Sequence, residues 1–160
     1  MTPHGDAGFD LVIGLGSMLR RDDAAGLWAA QHLVASIEGR LQVVAYGGDA
    51  AGLLELLCRC RSAVVIDAVR SGRPPGTVHP VDVAALGTGR RAGAVGSHRA
   101  SLDAAVALGV ALGRGLPPIR VIGIEIEDAS PGEGLTAPVA AAVDRVVAVL
   151  LEEFACTSSI

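Results

Sequence analysis

Short apolar runs, each closed by glycine, proline or an acidic residue, set the rhythm of this chain. Leu11–Ile13 reads as a first buried strand, feeding a turn at Gly14-Leu15-Gly16. Asp23 to Ala35 suits a helix, with Leu27, Trp28, Ala30 and Val34 on a broad apolar face and Gly39 beyond its end. Leu41–Ala45 predicts a second strand, stopped by Gly47-Gly48. Asp49 is placed to cap a helix over Ala51–Cys60. Ala63–Ile66 is continuously apolar and ends in Asp67, the pattern of a central strand buried on both faces.

Ser71–Gly76 is a turn by composition, and Thr77–Val81 predicts an edge strand because Pro80 lacks an N–H. Residues 84–97 hold no sustained period and read as a mobile loop, a lid or docking segment carrying Arg90-Arg91. Ser97 or His98 then opens a helix through Leu112. Ile119–Ile126 is the last strand, Ser130–Gly134 a turn, and Thr136 an N-cap with Pro138 in the first turn of a helix to about Phe154. Residues 1–9 and 155–160 are expected to fray. The order β-α-β-α-β-β-α-β-α implies one α/β domain over 1–160, with a mostly parallel sheet and helices on both faces.

Composition narrows the function classes. Hydrophobic residues make up 51% of 160, aromatics only 2%, so Ala, Val and Leu must fill the core. Mean hydropathy is +0.49, which argues against disorder. The net charge is −4, and all 13 basic residues are scattered arginines, which gives no stripe for nucleic acid. Cys58, Cys60 and Cys156 have no zinc-motif spacing and read as reduced thiols. No signal pattern opens the chain, and no apolar run reaches the ~18 residues of a membrane span. A cytoplasmic protein without membrane insertion is the expectation.

The chemistry concentrates after the first strand. Gly14 and Gly16 begin a dinucleotide fingerprint, but Leu19 stands at its third glycine and Tyr46 where a ribose-binding acid belongs. The turn instead offers Asp22-Asp23. One aspartate can cap the helix; an adjacent second one must point elsewhere, into the cleft. Asp67, after four apolar residues, is costly there unless paired, hydrogen-bonded or metal-bound. His98 joins them as the histidine that opens a helix after a loop; His4, His32 and His79 have weaker contexts. Two carboxylates and an imidazole suit Ni, Zn, Mn or Fe with open positions.

These residues resemble the [NiFe]-hydrogenase maturation proteases, endopeptidases that trim the C-terminal tail of the hydrogenase large subunit. Gly14-Leu15-Gly16-Ser17-Met18-Leu19-Arg20-Arg21-Asp22-Asp23 is similar to the family's opening segment. Val65–Val69, Pro75–Val78, Ser97-His98 with Ser101-Leu102, Gly123–Glu125 and Gly132–Val139 follow in the family's order. The resemblance implies a three-layer sandwich around a five-stranded, mostly parallel mixed sheet. It implies nickel ligation by Asp23, Asp67 and His98, with Asp23 and Asp67 also catalytic. The nickel is supplied by the substrate's active site rather than held by the free enzyme, and the partner is the large-subunit precursor. Either the metal or a carboxylate could activate the water. Gly47, Gly48 and Asp49 fall on a substrate-contacting loop, where Tyr46-Gly47-Gly48-Asp49 departs from the family's Asp-Gly-Gly-Thr; Ser17 replaces an Asn and Ser101 a Gly. A non-catalytic metal- or tail-binding chaperone or checkpoint with the same fold is the alternative.

Overall fold

The computed structural model describes residues 9–37, 41–84, 86–88 and 99–157. Five strands form one sheet: β1 (Leu11–Leu15), β2 (Gln42–Tyr46), β3 (Ala63–Val69), β4 (Val78–Val81) and β5 (Ile119–Glu125), in spatial order β2-β1-β3-β5-β4. All pairs are parallel except β4–β5. β4 lies at the edge, where the missing N–H of Pro80 costs least. The expected mixed, mostly parallel α/β sheet is therefore present.

Helices α1 (Ala25–Ser36), α2 (Ala50–Leu57), α3 (Arg99–Ala111) and α4 (Ala137–Thr157) cover both faces. Alternation along the strands divides the core. Val12, Val64, Ile66 and Ile124 pack under α1 and α4 with Ala29, Leu33, Val143 and Leu150. Leu11, Ile13, Leu15 and Val65 pack under α2 and α3 with Leu53, Leu57, Leu102 and Ala105. β3 is buried along its whole length, as its unbroken apolar run predicts.

Several boundaries shift for tertiary reasons. The helix expected from Asp23 starts at Ala25, after a single 3-10 turn over Arg21–Ala24 in which the Asp22 side chain is drawn to residues 127–136. α2 ends at Leu57 rather than Cys60: the Asp10 carboxylate accepts the Arg61 and Ser62 amides and redirects the chain into β3. β3 runs on to Val69, so Asp67 lies inside the strand instead of following it.

Phe9 is not frayed, since it packs on the core with the Arg120 guanidinium 5.1 Å above its ring. α4 likewise continues through Thr157, past the expected end. Of the segment read as a mobile loop, Ala84 and Leu86–Thr88 are anchored. The Gly87 amide donates to Asp103 Oδ1 at 2.7 Å, and Leu86 packs on the α2/α3 core. Its remainder, with Arg90-Arg91, Ser97 and His98, lies outside the described residues.

Candidate active site

The chain leaves β1 for β2 on one side of the sheet and leaves β3 for β4 and β5 on the other. The carboxyl ends of β1 and β3 therefore flank the switch point where open α/β sheets bind ligands. β1 pairs with β3 only as far as Gly14↔Ile66. Asp67 is the first β3 residue beyond that pairing, while on its other side it stays in register with Gly123 of β5.

Glycines bring the β1–α1 connection onto this spot. A Cβ on Gly14 would overlap the Gly26 carbonyl, and one on Gly26 would overlap the carbonyls of both Leu15 and Ile66. The first turn of α1 thus sits astride β1 and β3. Gly16, at φ 156°, would meet the Asp23 carbonyl if it bore a side chain. Asp23, three residues before Gly26, is carried to the edge where Asp67 emerges. Both aspartates are only 2% exposed.

Asp67 has the parity of Ala63 and Val65, so it faces the α2/α3 layer. α3 leads into the amino end of β5 and so runs antiparallel to β3, which places Arg99 at the same carboxyl edge. His98, the expected third ligand, lies outside the described residues. Among the described residues no group of three His, Cys, Asp or Glu side chains is placed to hold a metal. The structure thus brings Asp23 and Asp67 to one edge and leaves the third donor undescribed.

Asp22 does different work. Fully buried, it accepts the Thr136 amide at 2.7 Å, the Thr136 hydroxyl at 2.9 Å, and the Asp128 and Glu127 amides at 2.9 and 3.1 Å. It fastens the β5–α4 connection to the β1–α1 connection rather than capping α1. The aspartate expected to cap the helix thus acts at long range instead.

The β2–α2 loop closes another side of this edge. Gly47 approaches the Gly16 carbonyl so closely that a Cβ would lie 3.0 Å from it. Asp49 caps α2 as expected, its Oδ1 accepting the Gly52 amide at 2.9 Å. Tyr46 lies over Gly48 and Gly52, and its hydroxyl donates to the Asp49 carbonyl at 2.9 Å. Gly47, Gly48 and Asp49 are exposed.

The family model "HycI: Hydrogenase maturation protease" matches residues 30–153, most of the chain. The chain belongs to the hydrogenase maturation protease family. Its structure is similar to that of the [NiFe] hydrogenase maturation protease HybD from Thermococcus kodakarensis, with 25% identity and a TM-score of 0.70 over 89% of this chain and 96% of that one. It is also similar to the hydrogenase maturating endopeptidase HybD from E. coli, with 23% identity and a TM-score of 0.69 over 89% and 91%. An endopeptidase from Escherichia coli gives 22% identity and a TM-score of 0.73 over 89% and 90%. No curated protein matches.

The hydrogenase maturation protease match includes Asp67 and the β2–α2 loop but begins after Asp23, whose placement rests on the β1–α1 glycine contacts. The maturation protease fold also holds a polar cluster that the sequence reading passed over. Glu125, buried on β5, accepts the Ser71 amide at 2.6 Å, the Ser71 hydroxyl at 2.8 Å and the Gly72 amide at 3.0 Å. His79 Nε2 stands 3.4 Å from Glu125 Oε2, the oxygen that also accepts the Ser71 hydroxyl, and His79 Nδ1 lies 2.9 Å from the Arg73 guanidinium and 3.3 Å from the Pro80 carbonyl. Burial works against the Glu125 charge, but the Ser71, Gly72 and His79 contacts outweigh it and hold the carboxyl below its usual 4.5. The available signal was an acidic residue inside an otherwise apolar strand.

Proposed function

We propose that this chain is an endopeptidase that removes the C-terminal extension of a [NiFe]-hydrogenase large-subunit precursor after nickel insertion. The observation that carries the reading is the burial of two carboxylates, Asp23 and Asp67, at the switch point of a hydrogenase maturation protease fold. Two carboxylates withdrawn from bulk water at one edge attract a cation more strongly than exposed ones would. In this reading nickel arrives as part of the precursor, and Asp23, Asp67 and His98 bind it there. A precursor without metal then forfeits that attraction and stays uncut.

The bound tail lies along the exposed rim of Gly47, Gly48 and Asp49, with its scissile carbonyl at the aspartate edge. Asp23 and Asp67 are the acid–base candidates for water attack, with the precursor's own metal as the electrophile beside them. Among the described residues no helix is long and apolar enough to cross a membrane. Free Cys58, Cys60 and Cys156 suit a reducing cytoplasm, where we place the reaction.

The test mixes purified chain with nickel-loaded and nickel-free precursor and weighs the products. Loss of the tail from the loaded precursor alone is expected. A second reading, a checkpoint that binds the tail without cutting it, is favoured by one feature: the Asp49 side chain is spent on capping α2. Nickel-dependent binding with no change in mass would establish that reading instead.

A further inference from the structure

Asp67 rides on a strand end that is braced unevenly. The β1 ladder stops at Gly14↔Ile66, and α1 presses on that point, where a Cβ on Gly26 would overlap the Ile66 carbonyl. Beyond it, Asp67, Ala68 and Val69 continue in register with Gly123, Ile124 and Glu125 of β5. The Ile126 amide closes that ladder on the Val69 carbonyl at 3.0 Å. The end of β3 is thus set from the β5 side, and the chain turns away at Ser71 and Gly72.

Glu125 grips that turn. Its Oε1 accepts the Ser71 amide at 2.6 Å and the Gly72 amide at 3.0 Å, and its Oε2 accepts the Ser71 hydroxyl at 2.8 Å. Ser71 and Gly72 are themselves exposed, so water could satisfy both amides. A carboxylate only 2% exposed does so instead, which fixes the turn relative to β5. The grip has a firm base. The Glu125 carbonyl accepts the Gly76 amide and the Glu125 amide donates to the Thr77 carbonyl, each at 2.8 Å. Gly76 is in turn tied to α4, its carbonyl accepting from Arg145 at 2.6 Å. By strand parity Asp67, Val69 and Glu125 share the α2/α3 face.

We propose that Glu125 is a positioning residue for Asp67. By clamping residues 71–72 to β5 it fixes the end of β3, and with it the point at which the Asp67 carboxylate meets the precursor's metal. The proposal rests on the precursor-cleaving reading and adds to it a residue that touches neither substrate nor metal. The clamp depends on reach rather than charge, because two of its three donors are backbone amides that any well-placed carbonyl oxygen satisfies. Displacing a reacting group by about 1 Å can cost about a hundredfold, so a slack strand end is felt at the site.

The experiment measures binding of nickel-loaded and nickel-free precursor to the full chain. Glu125→Asp keeps the charge and shortens the reach; Glu125→Gln keeps the reach and removes the charge. Glu125→Asp is expected to weaken binding of the loaded precursor about tenfold and to leave nickel-free binding unchanged. Glu125→Gln should stay within about twofold of wild type. The Asp67 and Ala68 amide resonances should move in Glu125→Asp and hold in Glu125→Gln, a readout that needs no precursor. Asp67→Ala combined with Glu125→Asp should bind no more weakly than Asp67→Ala alone, because a residue acting through Asp67 then has nothing to act on. Val143→Ala, a destabilising change in the opposite core layer, should leave binding unchanged. Equal losses in the two Glu125 variants, a loss that adds to that of Asp67→Ala, or a matching loss in Val143→Ala would each overturn the positioning role. A wild-type chain that binds loaded and nickel-free precursor alike would sink the functional reading, and the amide resonances would still decide whether Glu125 sets Asp67.

Discussion

Asp22→Ala would strip four donors, three amides and a hydroxyl, of their buried acceptor. A loss of roughly 3 kcal/mol or more is expected, since each stranded donor costs its desolvation; a denaturant titration reads it. Asp67→Ala should abolish precursor cleavage while the chain still folds, as circular dichroism reads. If Asp67→Ala unfolded the protein, Asp67 would be structural. That residue was legible in the sequence because an acid inside an apolar run is conspicuous. The role of Asp22 was not legible, because the donors that claim it are more than 100 residues away.

At the scale of elements, α1 is seated by glycine rather than by side-chain packing alone. Gly26→Ala would drive a methyl into the Leu15 and Ile66 carbonyls at once. Backbone cannot yield as a flexible side chain does, so a cost of about 3 kcal/mol, or failure to fold, is expected from far-UV circular dichroism and melting. α2 offers a subtler contrast. Asp49→Ala should cost about 1 kcal/mol through the lost cap. Asp49→Asn keeps the cap and should keep stability, so any loss of cleavage in that variant isolates contact with the tail. The cap and the edge strand were readable from local residue chemistry. The 3-10 turn, the early end of α2 and the extension of β3 were not, because each is set by a hydrogen bond or strand partner distant in sequence.

For the molecule as a whole, the carboxylates held by the fold set its acid limit. Glu125 lies below its usual 4.5, with burial outweighed by Ser71, Gly72 and His79, and Asp10 lies below its usual 3.8, with burial outweighed by Ser62 and Arg61. A depressed carboxyl pKa means the fold favours the charged form. Its stabilisation is therefore complete above the usual value and is lost as pH falls through the folded one. Denaturant midpoints should hold steady down to about pH 5 and then decline. Glu125→Gln should be less stable at pH 7 and show a shallower decline between about pH 5 and 3. A wild-type profile that stayed flat to pH 3 would contradict this assignment.

Taken alone, the sequence determined the number and order of strands and helices, the buried central strand, the edge position of β4, the Asp49 cap and the singling out of Asp23 and Asp67. These follow from local rules: apolar period, turn chemistry, the missing N–H of proline and the cost of an acid in an apolar run. Tertiary structure decided the strand order that makes β1 and β3 the switch point, and the glycine contacts that lower α1 onto their ends. It also committed Asp22 to the β5–α4 connection and gathered Glu125, His79 and Arg73 into one cluster. All of these join residues far apart in the chain. Such pairings are chosen by how the layers pack, and periodicity along the sequence carries no record of that choice.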